Sequence, residues 1–240
     1  MSSSRKFGRI DADFVKRRND FFGSNPALDP MFIIEQWPLF VGFVPLGTLL
    51  ARYELLKMIQ NVPGHLLEFG CHQGAHLHFM AKVLQLLAPN DLRKIYGFDS
   101  LLGLTEFSEQ DRHAMKEQGN YRGDLGIMKK MLELHDIEDR VEIVVGKIEE
   151  TLPRFLRDNS HHIYSYVYLD TDLYQSTVSA LDLCWPRLAP GGLIVLDEGY
   201  HDRFPGEGAA LQEFLRKIPG AFECGHFPFT RQPMVWIKKK

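Results

Sequence analysis

The sequence predicts an α/β protein with a doubly wound, mostly parallel seven-stranded sheet that ends in a C-terminal antiparallel hairpin. Three observations predict this fold. Short apolar runs alternate with helix-length segments five times along the chain, which is the pattern of successive β–α units. Four of these runs lead into an Asp or Glu, as strands do when they deliver side chains to a ligand site. The last two runs have no helix between them, and since parallel strands need a long crossover, they must form a hairpin.

Each predicted element is justified by its apolar spacing and by the turn residues that end it. The predicted strands of the parallel part are residues 66–69, 94–99, 141–145, 163–170 and 193–197. The predicted hairpin comprises residues 221–229 and 234–238. The predicted helices are residues 45–60, 75–87, 127–135, 149–157, 176–188 and 208–218. The stretch between Leu101 and Gly126 is interrupted by glycines, and we expect a loop with short helical pieces there.

The first part of the chain does not share this alternation. Residues 1–30 lack clear periodicity and are predicted to be an arm or a partly ordered lead-in. The apolar stretches 31–34 and 40–44 could pack on a second subunit or cover the chain's own sheet, which leaves a homo-oligomer open. We therefore divide the chain into an N-terminal extension, residues 1–45, and a single domain, residues 46–240.

Composition and charge limit the classes of partner and compartment. The chain has 240 residues, is 45% hydrophobic and carries a net charge of −3, which is ordinary for a soluble globular domain. Such a charge creates no field that would gather nucleic acid or an anionic membrane, so neither is a predicted partner. The three cysteines lack C-x-x-C spacing, and the N-terminal residues are polar. A cytoplasmic protein is therefore the expectation.

A glycine loop follows the first predicted strand, from Glu68 to Gly74. Gly70 would allow the turn and Gly74 a close approach of the backbone to a ligand. The spacing is G-x-x-x-G, and Asp99 lies 29 residues beyond Gly70, so the loop departs from the dinucleotide fingerprint. An acid in the first turn and an acid ending the second strand suit S-adenosylmethionine, whose ribose diol Asp99 would bind. The alternative for Asp99 is a cap of the following turn.

Several further blocks extend this pattern along the chain. They are Pro63–Gly70, Gly97–Leu104, Gly146 with Thr151–Pro153, Leu169–Thr177 and Leu188–Gly192. With these blocks the chain resembles the class I methyltransferases, which have a Rossmann-like fold, and specifically the macrocin-type family of metal-dependent sugar O-methyltransferases. The resemblance covers about residues 48–215, and the D-x-D-L-Y-x-S-T block is its most specific part.

The resemblance implies S-adenosylmethionine as the cofactor. It also implies which residues bind it, including a group after the third predicted strand that lies near the adenine. The implied cofactor-binding residues are Glu68, Gly70, Gly74, Asp99, Ser100, Gly146, Lys147 and Ile148. The small hydroxyl residues that are common after Gly74 in the family are replaced here by Ala75 and His76, which affects the expected contacts of the cofactor's carboxylate end.

Three acids end the fourth and fifth predicted strands, namely Asp170, Asp197 and Glu198. Carboxylates that converge repel one another unless a cation or protons intervene, and oxygen-only ligands suit Mg²⁺ or a similar divalent ion. In the resembling family, these positions hold an ion that chelates two adjacent substrate oxygens. The implied function is methyl transfer to a hydroxyl of a small molecule with neighbouring hydroxyls, in particular a sugar of a natural product or glycan. The family usually has Asp-Asp-Tyr where this chain has Asp197-Glu198-Gly199-Tyr200, which can alter metal affinity or ion choice.

The predicted catalytic residues are Asp170, Asp172 and His201. Asp172 could act as the general base, or it could cap the helix predicted to begin near Ser176. His201 could accept the proton instead, or it could be a solvent-facing loop histidine. Aromatic and histidine side chains in the loops are expected to form the acceptor pocket, with residues 121–123 and 204–206 as movable covers. These side chains are Phe107, Tyr121, Tyr174, Tyr200, His201 and Phe204.

Other functions remain open from the sequence. A nicotinamide-dependent oxidoreductase is disfavoured by the glycine spacing and by the clustered acids. A non-catalytic binding module on the same fold, or an O-methyltransferase for catechol-type aromatics, would be compatible with these motifs. His72 and His76 are four residues apart, but Gly74 lies between them where the loop turns into the helix, so we do not predict a zinc site there.

Overall fold

The computed structural model describes residues 6–240, and for residues 6–9 it describes the backbone only. The described strands are β1 (His65–Phe69), β2 (Ile95–Asp99), β3 (Val141–Val145), β4 (Tyr164–Leu169), β5 (Leu188–Leu196), β6 (Phe222–Gly225) and β7 (Val235–Lys239). The described α-helices are α1 (Lys6–Ser24), α2 (Pro30–Glu35), α3 (Trp37–Phe40), α4 (Phe43–Met58), α5 (Ala75–Leu87), α6 (Leu125–Leu134), α7 (Ile148–Asp158), α8 (Tyr174–Cys184) and α9 (Pro205–Lys217). Short 3₁₀ turns comprise Glu109–Asp111, Met115–Glu117 and Trp185–Arg187.

The seven strands form one mixed sheet in the order β3-β2-β1-β4-β5-β7-β6. The neighbours from β3 to β5 run parallel, whereas β7 is antiparallel to both β5 and β6. The strand order reverses between β1 and β4, which in such sheets creates a crevice at the carboxyl ends of the strands. The predicted fold class is confirmed.

Helices cover both faces of the sheet because successive side chains of each strand point to opposite faces. On one face, Leu67 and Val167 pack with residues of α7, α8 and α9. On the other face, Leu66, Tyr166 and Tyr168 pack with residues of α4, α5 and α6. Burial on both faces explains why the central strands read as continuous apolar runs rather than as alternating patterns. The same alternation of side chains turns some strand-end residues towards the covering helices and away from the crevice.

The N-terminal region differs from the sequence prediction. The expected lead-in is wrong for the described part, because residues 6–24 form α1; residues 1–5 lie outside the described residues. Half-buried apolar side chains at helical spacing (Ile10, Phe14 and Phe22) and two long-range hydrogen bonds hold this helix in place. The Arg18 guanidinium donates a hydrogen bond to the Phe40 carbonyl at 3.1 Å, and Asp11 Oδ1 accepts one from the Val44 N–H at 3.3 Å. The rings of Phe22 and Phe40 stack with their centroids 5.5 Å apart.

Two boundaries near the site also differ. β5 begins at Leu188 rather than at residue 193, because Leu188 pairs with Tyr164 and the register then shifts before Tyr166, which accommodates the two glycines. α8 begins at Tyr174 and ends at Cys184, followed by a 3₁₀ turn. Pro186 explains this earlier end, since proline lacks the N–H that would continue the α-helical hydrogen bonds.

The described helices include none that is long and apolar enough to cross a lipid bilayer. All three cysteines are free; Cys71 and Cys184 are buried and Cys224 is exposed. Met31, Ile34 and other large apolar side chains of α2–α4 are exposed in the single chain.

Candidate active site

A cavity of about 480 Å³ lies at the carboxyl ends of the five parallel strands. Its volume is typical of small-molecule sites. Residues after β1, β2 and β3 form one side, and residues after β4 and β5 form the other. The predicted site residues that line it are Gly70, Asp99, Ser100, Gly146, Lys147, Ile148, Asp170, Asp172, Asp197 and Glu198. The fold therefore brings the predicted cofactor and metal residues together in one cavity.

Asp99 is fixed at the end of β2 by two backbone hydrogen bonds. Its Oδ2 accepts one from the His72 N–H at 2.8 Å, and its Oδ1 accepts one from the Leu101 N–H at 2.7 Å. The second bond is the turn-capping contact that was the alternative for this residue. Because a carboxylate offers about four acceptor sites, capacity remains on the side that faces the cavity. Capping and ligand binding are therefore compatible.

Gly70 allows the loops after β1 and β4 to touch. Its φ angle is +85°, and a Cβ atom at this position would lie 1.9 Å from the Asp170 carbonyl oxygen. A side chain is therefore excluded both by the backbone conformation and by the neighbouring loop. The Gly70 N–H donates to the Phe98 carbonyl at 2.9 Å, and the Gly146 N–H donates to the Asp99 carbonyl at 3.0 Å. These contacts connect the ends of β1, β2 and β3.

Two predicted cofactor residues, Glu68 and Gly74, are not among the described residues that line the cavity. Glu68 lies on the sheet face that α4 and α5 cover, with Oε1 3.3 Å from Nδ1 of the buried His76. Gly74 precedes α5 and approaches the side chain of Met128. Burial raises the pKa of Glu68 to about 8, and nearby Asp99 and Asp197 add to this, whereas Arg52 opposes it.

The other side of the cavity concentrates acids. Burial raises the pKa of Asp170 well above its ordinary range, and the charges of Asp197 and Asp172 raise it further. Burial, together with Asp197, raises the pKa of Asp172 to about 7. Burial and the neighbouring Asp197 and Asp172 raise the pKa of Glu198 to about 8. Such a cluster favours the binding of cations or protons.

Arg52 of α4 reaches this acidic cluster. Its Nε and Nη2 atoms donate to the Tyr168 hydroxyl at 3.2 and 3.1 Å, and Tyr168 donates in turn to Asp197 Oδ1. Arg52 Nη2 is 3.7 Å from Asp197 Oδ1 and 3.9 Å from Asp170 Oδ2. Burial lowers the pKa of Arg52, but Tyr168 and the acids outweigh this and raise it overall. Sequence reasoning missed Arg52, because α4 also carries Glu54 and Lys57 and nothing in the sequence separates the buried arginine from these exposed charges.

The donor atoms at this end suit a divalent cation in type. Asp170, Asp197 and Glu198 offer only oxygen ligands, as Mg²⁺ prefers. Glu198 Oε2 is buried and accepts no hydrogen bond from the described residues, so it is available to a cation. As arranged in the described part of the chain, however, no group of three or more His, Cys, Asp or Glu side chains could hold a metal ion. The three acids are thus suitable cation ligands by chemical type, and Arg52 lies beside two of them, Asp170 and Asp197.

The two candidate bases have different positions. Asp172 lines the cavity and has a φ angle of +61°, a strained conformation that is common at functional sites. Its alternative role as a helix cap is wrong, because α8 starts at Tyr174 and the Tyr174 N–H donates to Asp111 Oδ1 at 2.9 Å. His201 is not among the described lining residues; its Nδ1 lies 3.6 Å from Glu198 Oε2 and its Nε2 lies 3.0 Å from Arg231 Nη2.

Loops distant in sequence complete the cavity. Gln232, between β6 and β7, donates to Glu198 Oε1. Arg203, before α9, pairs with Glu117 of the loop after β2, with Nη2 and Oε2 2.8 Å apart. Of the aromatic side chains predicted for the acceptor pocket, Tyr121 and Phe204 line the described cavity. Sequence reasoning missed Gln232, Arg203 and Glu117, because nothing in their local sequence indicates which distant loops meet.

Comparisons with known proteins show the family of this chain. Residues 51–217 match the family model described as Macrocin-O-methyltransferase (TylF). The chain is 30% identical over 190 residues to the 8-demethyl-8-(2,3-dimethoxy-alpha-L-rhamnosyl)-tetracenomycin-C 4'-O-methyltransferase of Streptomyces olivaceus, which covers 74% of this chain and 70% of that protein. It is 24% identical over 147 residues to the mycinamicin III 3''-O-methyltransferase of Micromonospora griseorubida, covering 58% and 56% of the two chains.

Solved structures agree as well. The calicheamicin methyltransferase CalS11 superposes with a TM-score of 0.81 at 26% identity, covering 95% of this chain and 91% of that one. The O-methyltransferase NovP superposes with a TM-score of 0.68 at 21% identity, covering 81% and 80%, which supports the fold alone. The family match and these relatives define the class of protein as an S-adenosylmethionine-dependent O-methyltransferase. The chain belongs to the macrocin O-methyltransferase family, which confirms the resemblance found in the sequence.

Proposed function

We propose that this protein transfers a methyl group from S-adenosylmethionine to a hydroxyl of a sugar carried by a small molecule, with the help of a divalent cation. The observation that carries the proposal is the single cavity with Gly70, Asp99 and Gly146 on one side and four carboxylates on the other. According to their names, the two relatives above methylate a rhamnosyl-bearing tetracenomycin and mycinamicin III. Residues 46–240 would carry the reaction, with residues 1–45 as an extension.

The residues on the cofactor side would bind and orient the donor. S-adenosylmethionine, when bound, supplies the methyl group. Asp99, held by the His72 and Leu101 N–H groups, would accept hydrogen bonds from the ribose hydroxyls. Gly70, which lets the loops after β1 and β4 touch, lines the cavity, and residues 146–148 would face the adenine. Fixed positions on both sides of the cavity would align the methyl group with the acceptor oxygen, which accounts for much of the rate in such reactions.

Asp172 would accept the proton of the acceptor hydroxyl. It lines the cavity, it is nearly buried, and a pKa of about 7 suits a general base near neutral pH. A divalent ion held by Asp170, Asp197 and Glu198 would supply positive charge that makes the hydroxyl more acidic. Asp170 would thus act as a ligand rather than as the base, and His201 would orient Glu198 from outside the cavity.

The test is methyl transfer from isotopically labelled S-adenosylmethionine to a panel of acceptors. The panel contains rhamnosylated compounds with a free diol, the same compounds with one hydroxyl blocked, and a catechol. We expect the label on the free-diol sugar, and a loss of at least about 100-fold in kcat for Asp172→Asn, as for removal of a general base. The exposed Asp158→Asn on α7 is the matched control and should retain full activity.

The other outcomes identify the alternative functions. Label on the catechol alone would assign a small-aromatic acceptor. Retained S-adenosylmethionine binding with no transfer to any acceptor would favour a non-catalytic binding module. Cation dependence is tested by chelation: we expect activity to vanish after treatment with EDTA and to return with added Mg²⁺. Full activity after chelation would contradict the cation part of the proposal.

A further inference from the structure

Arg52 places a permanent positive charge beside the carboxylates to which we assign the divalent ion. The guanidinium is not deprotonated in proteins, and the side chain is only 16% exposed. Its Nη2 atom lies 3.7 Å from Asp197 Oδ1 and 3.9 Å from Asp170 Oδ2. These distances are too long for hydrogen bonds but short enough for strong electrostatic attraction in a poorly hydrated site. A cation bound to the same two carboxylates would therefore lie close to the guanidinium.

We propose that Arg52 is a positioning residue that shares Asp170 and Asp197 with the divalent ion and thereby weakens the affinity of the site for that ion. The inference rests on the proposed function, because it concerns the same cation. In the cation-free protein, the guanidinium offsets the mutual repulsion of the two carboxylates. When the ion binds, the two positive charges repel each other, so the site releases the ion more readily than three unshared carboxylates would.

The hydrogen bonds separate this role from a merely structural one. Arg52 donates to the Tyr168 hydroxyl, and the hydroxyl itself donates to Asp197 Oδ1. Asp197 therefore keeps its hydrogen bond when the guanidinium is removed, and what it loses is the neighbouring charge. A structural role predicts that a neutral variant loosens the site and binds the ion more weakly. The charge-sharing role predicts the opposite, a tighter site.

The experiment titrates Mn²⁺ into the full chain and follows the free ion by electron paramagnetic resonance. Arg52→Met removes the charge and keeps much of the side-chain volume, whereas Arg52→Lys keeps the charge. We expect Arg52→Met to bind Mn²⁺ at least about tenfold more tightly than the wild type, and Arg52→Lys to stay within about threefold of it. Lys57→Met is the matched control, because this lysine is an exposed cation on the same helix that pairs with Glu54; it should change nothing.

Equal or weaker Mn²⁺ binding by Arg52→Met would overturn the inference, provided that thermal unfolding shows a folded protein. If Arg52→Met does not fold, Arg52→Gln carries the same expectation, since it also lacks the charge and keeps a polar end group. Absence of Mn²⁺ binding in the wild type and in every neutral variant would also overturn it. S-adenosylmethionine binding, measured in the same samples, distinguishes that result from a failure of the proposed methyl donor.

Discussion

The carboxylate of Asp99 accepts a hydrogen bond from the backbone N–H of His72, with 2.8 Å between Oδ2 and N. This bond joins the end of β2 to the glycine loop after β1, two segments 27 residues apart in sequence. One residue thus shapes the loop and presents its remaining acceptor capacity to the cavity. The cofactor side of the site depends on this double role.

Asp99→Asn should weaken S-adenosylmethionine binding by at least about tenfold, because the amide presents only one acceptor oxygen and has lost the charge that strengthens both hydrogen bonds. The measurement is calorimetric titration of the variant beside the wild type. Asp158→Asn, at an exposed position on α7, should bind like the wild type. Unchanged affinity in Asp99→Asn would remove this residue from the cofactor site.

Gly70→Ala should destabilise the protein by about 2–4 kcal/mol. The new methyl group must displace the Asp170 backbone, and the alanine backbone must adopt a left-handed conformation. Gly220 is a matched control. It also has a positive φ, +74°, but a Cβ there would have nothing within 4 Å. Gly220→Ala should therefore cost only the conformational part, about 1 kcal/mol. Urea unfolding measures both, and equal losses would show that the contact with Asp170 is unimportant.

Arg203→Met should raise KM for the acceptor several-fold and leave the affinity for S-adenosylmethionine unchanged. The reason is that the ion pair with Glu117 joins the loop after β2 to the loop before α9, and these two loops contribute Tyr121 and Phe204, the predicted acceptor-pocket aromatics that line the cavity. Steady-state kinetics with the acceptor identified in the panel provides the measurement. Lys217→Met, which breaks the exposed pair with Asp182 away from the cavity, is the control. A change in cofactor affinity alone would place Arg203 elsewhere in the mechanism.

Glu68→Gln should flatten the dependence of stability on pH. Burial raises the pKa of Glu68 from its ordinary value of 4.5 to about 8, so the folded state holds a proton that the unfolded state releases. The stabilising contribution is therefore complete below pH 4.5 and is lost as the pH rises towards 8. Relative to Glu68→Gln, the wild type should lose up to about 1.4 kcal/mol of unfolding free energy per pH unit in this window. Parallel curves for the two proteins would contradict the assignment.

Most of the sheet and the strand-end acids could be predicted because both depend on local pattern. Runs such as 141–145 were bounded by turn residues, and the parallel architecture then placed Asp99, Asp170 and Asp197 at one edge. α1 was not predicted: its apolar positions, Ile10, Phe14 and Phe22, are separated by many charged residues, and the hydrogen bonds of Asp11 and Arg18 reach residues more than 20 positions away.

The parts of the site that the sequence did not predict were missed for a physical reason. Arg52, Gln232 and Arg203, which pairs with Glu117, line the cavity from a helix and from loops whose positions depend on tertiary packing. Glu68 ends a strand like the other acids, yet the alternation of side chains turns it to the face covered by α4 and α5. The spacing of residues along the chain says little about which distant loops and helices meet. It shows which face of the sheet a strand side chain takes only once the register of that strand is known.

The most direct test of the account is a calorimetric titration of the wild-type protein with S-adenosylmethionine, with ATP as a control for general adenine binding. We expect saturable micromolar binding, competition by S-adenosylhomocysteine, and at most weak binding of ATP, because the site presents carboxylates rather than a phosphate cradle. Absence of S-adenosylmethionine binding up to millimolar concentration would contradict the assignment of this cavity as a methyl-donor site.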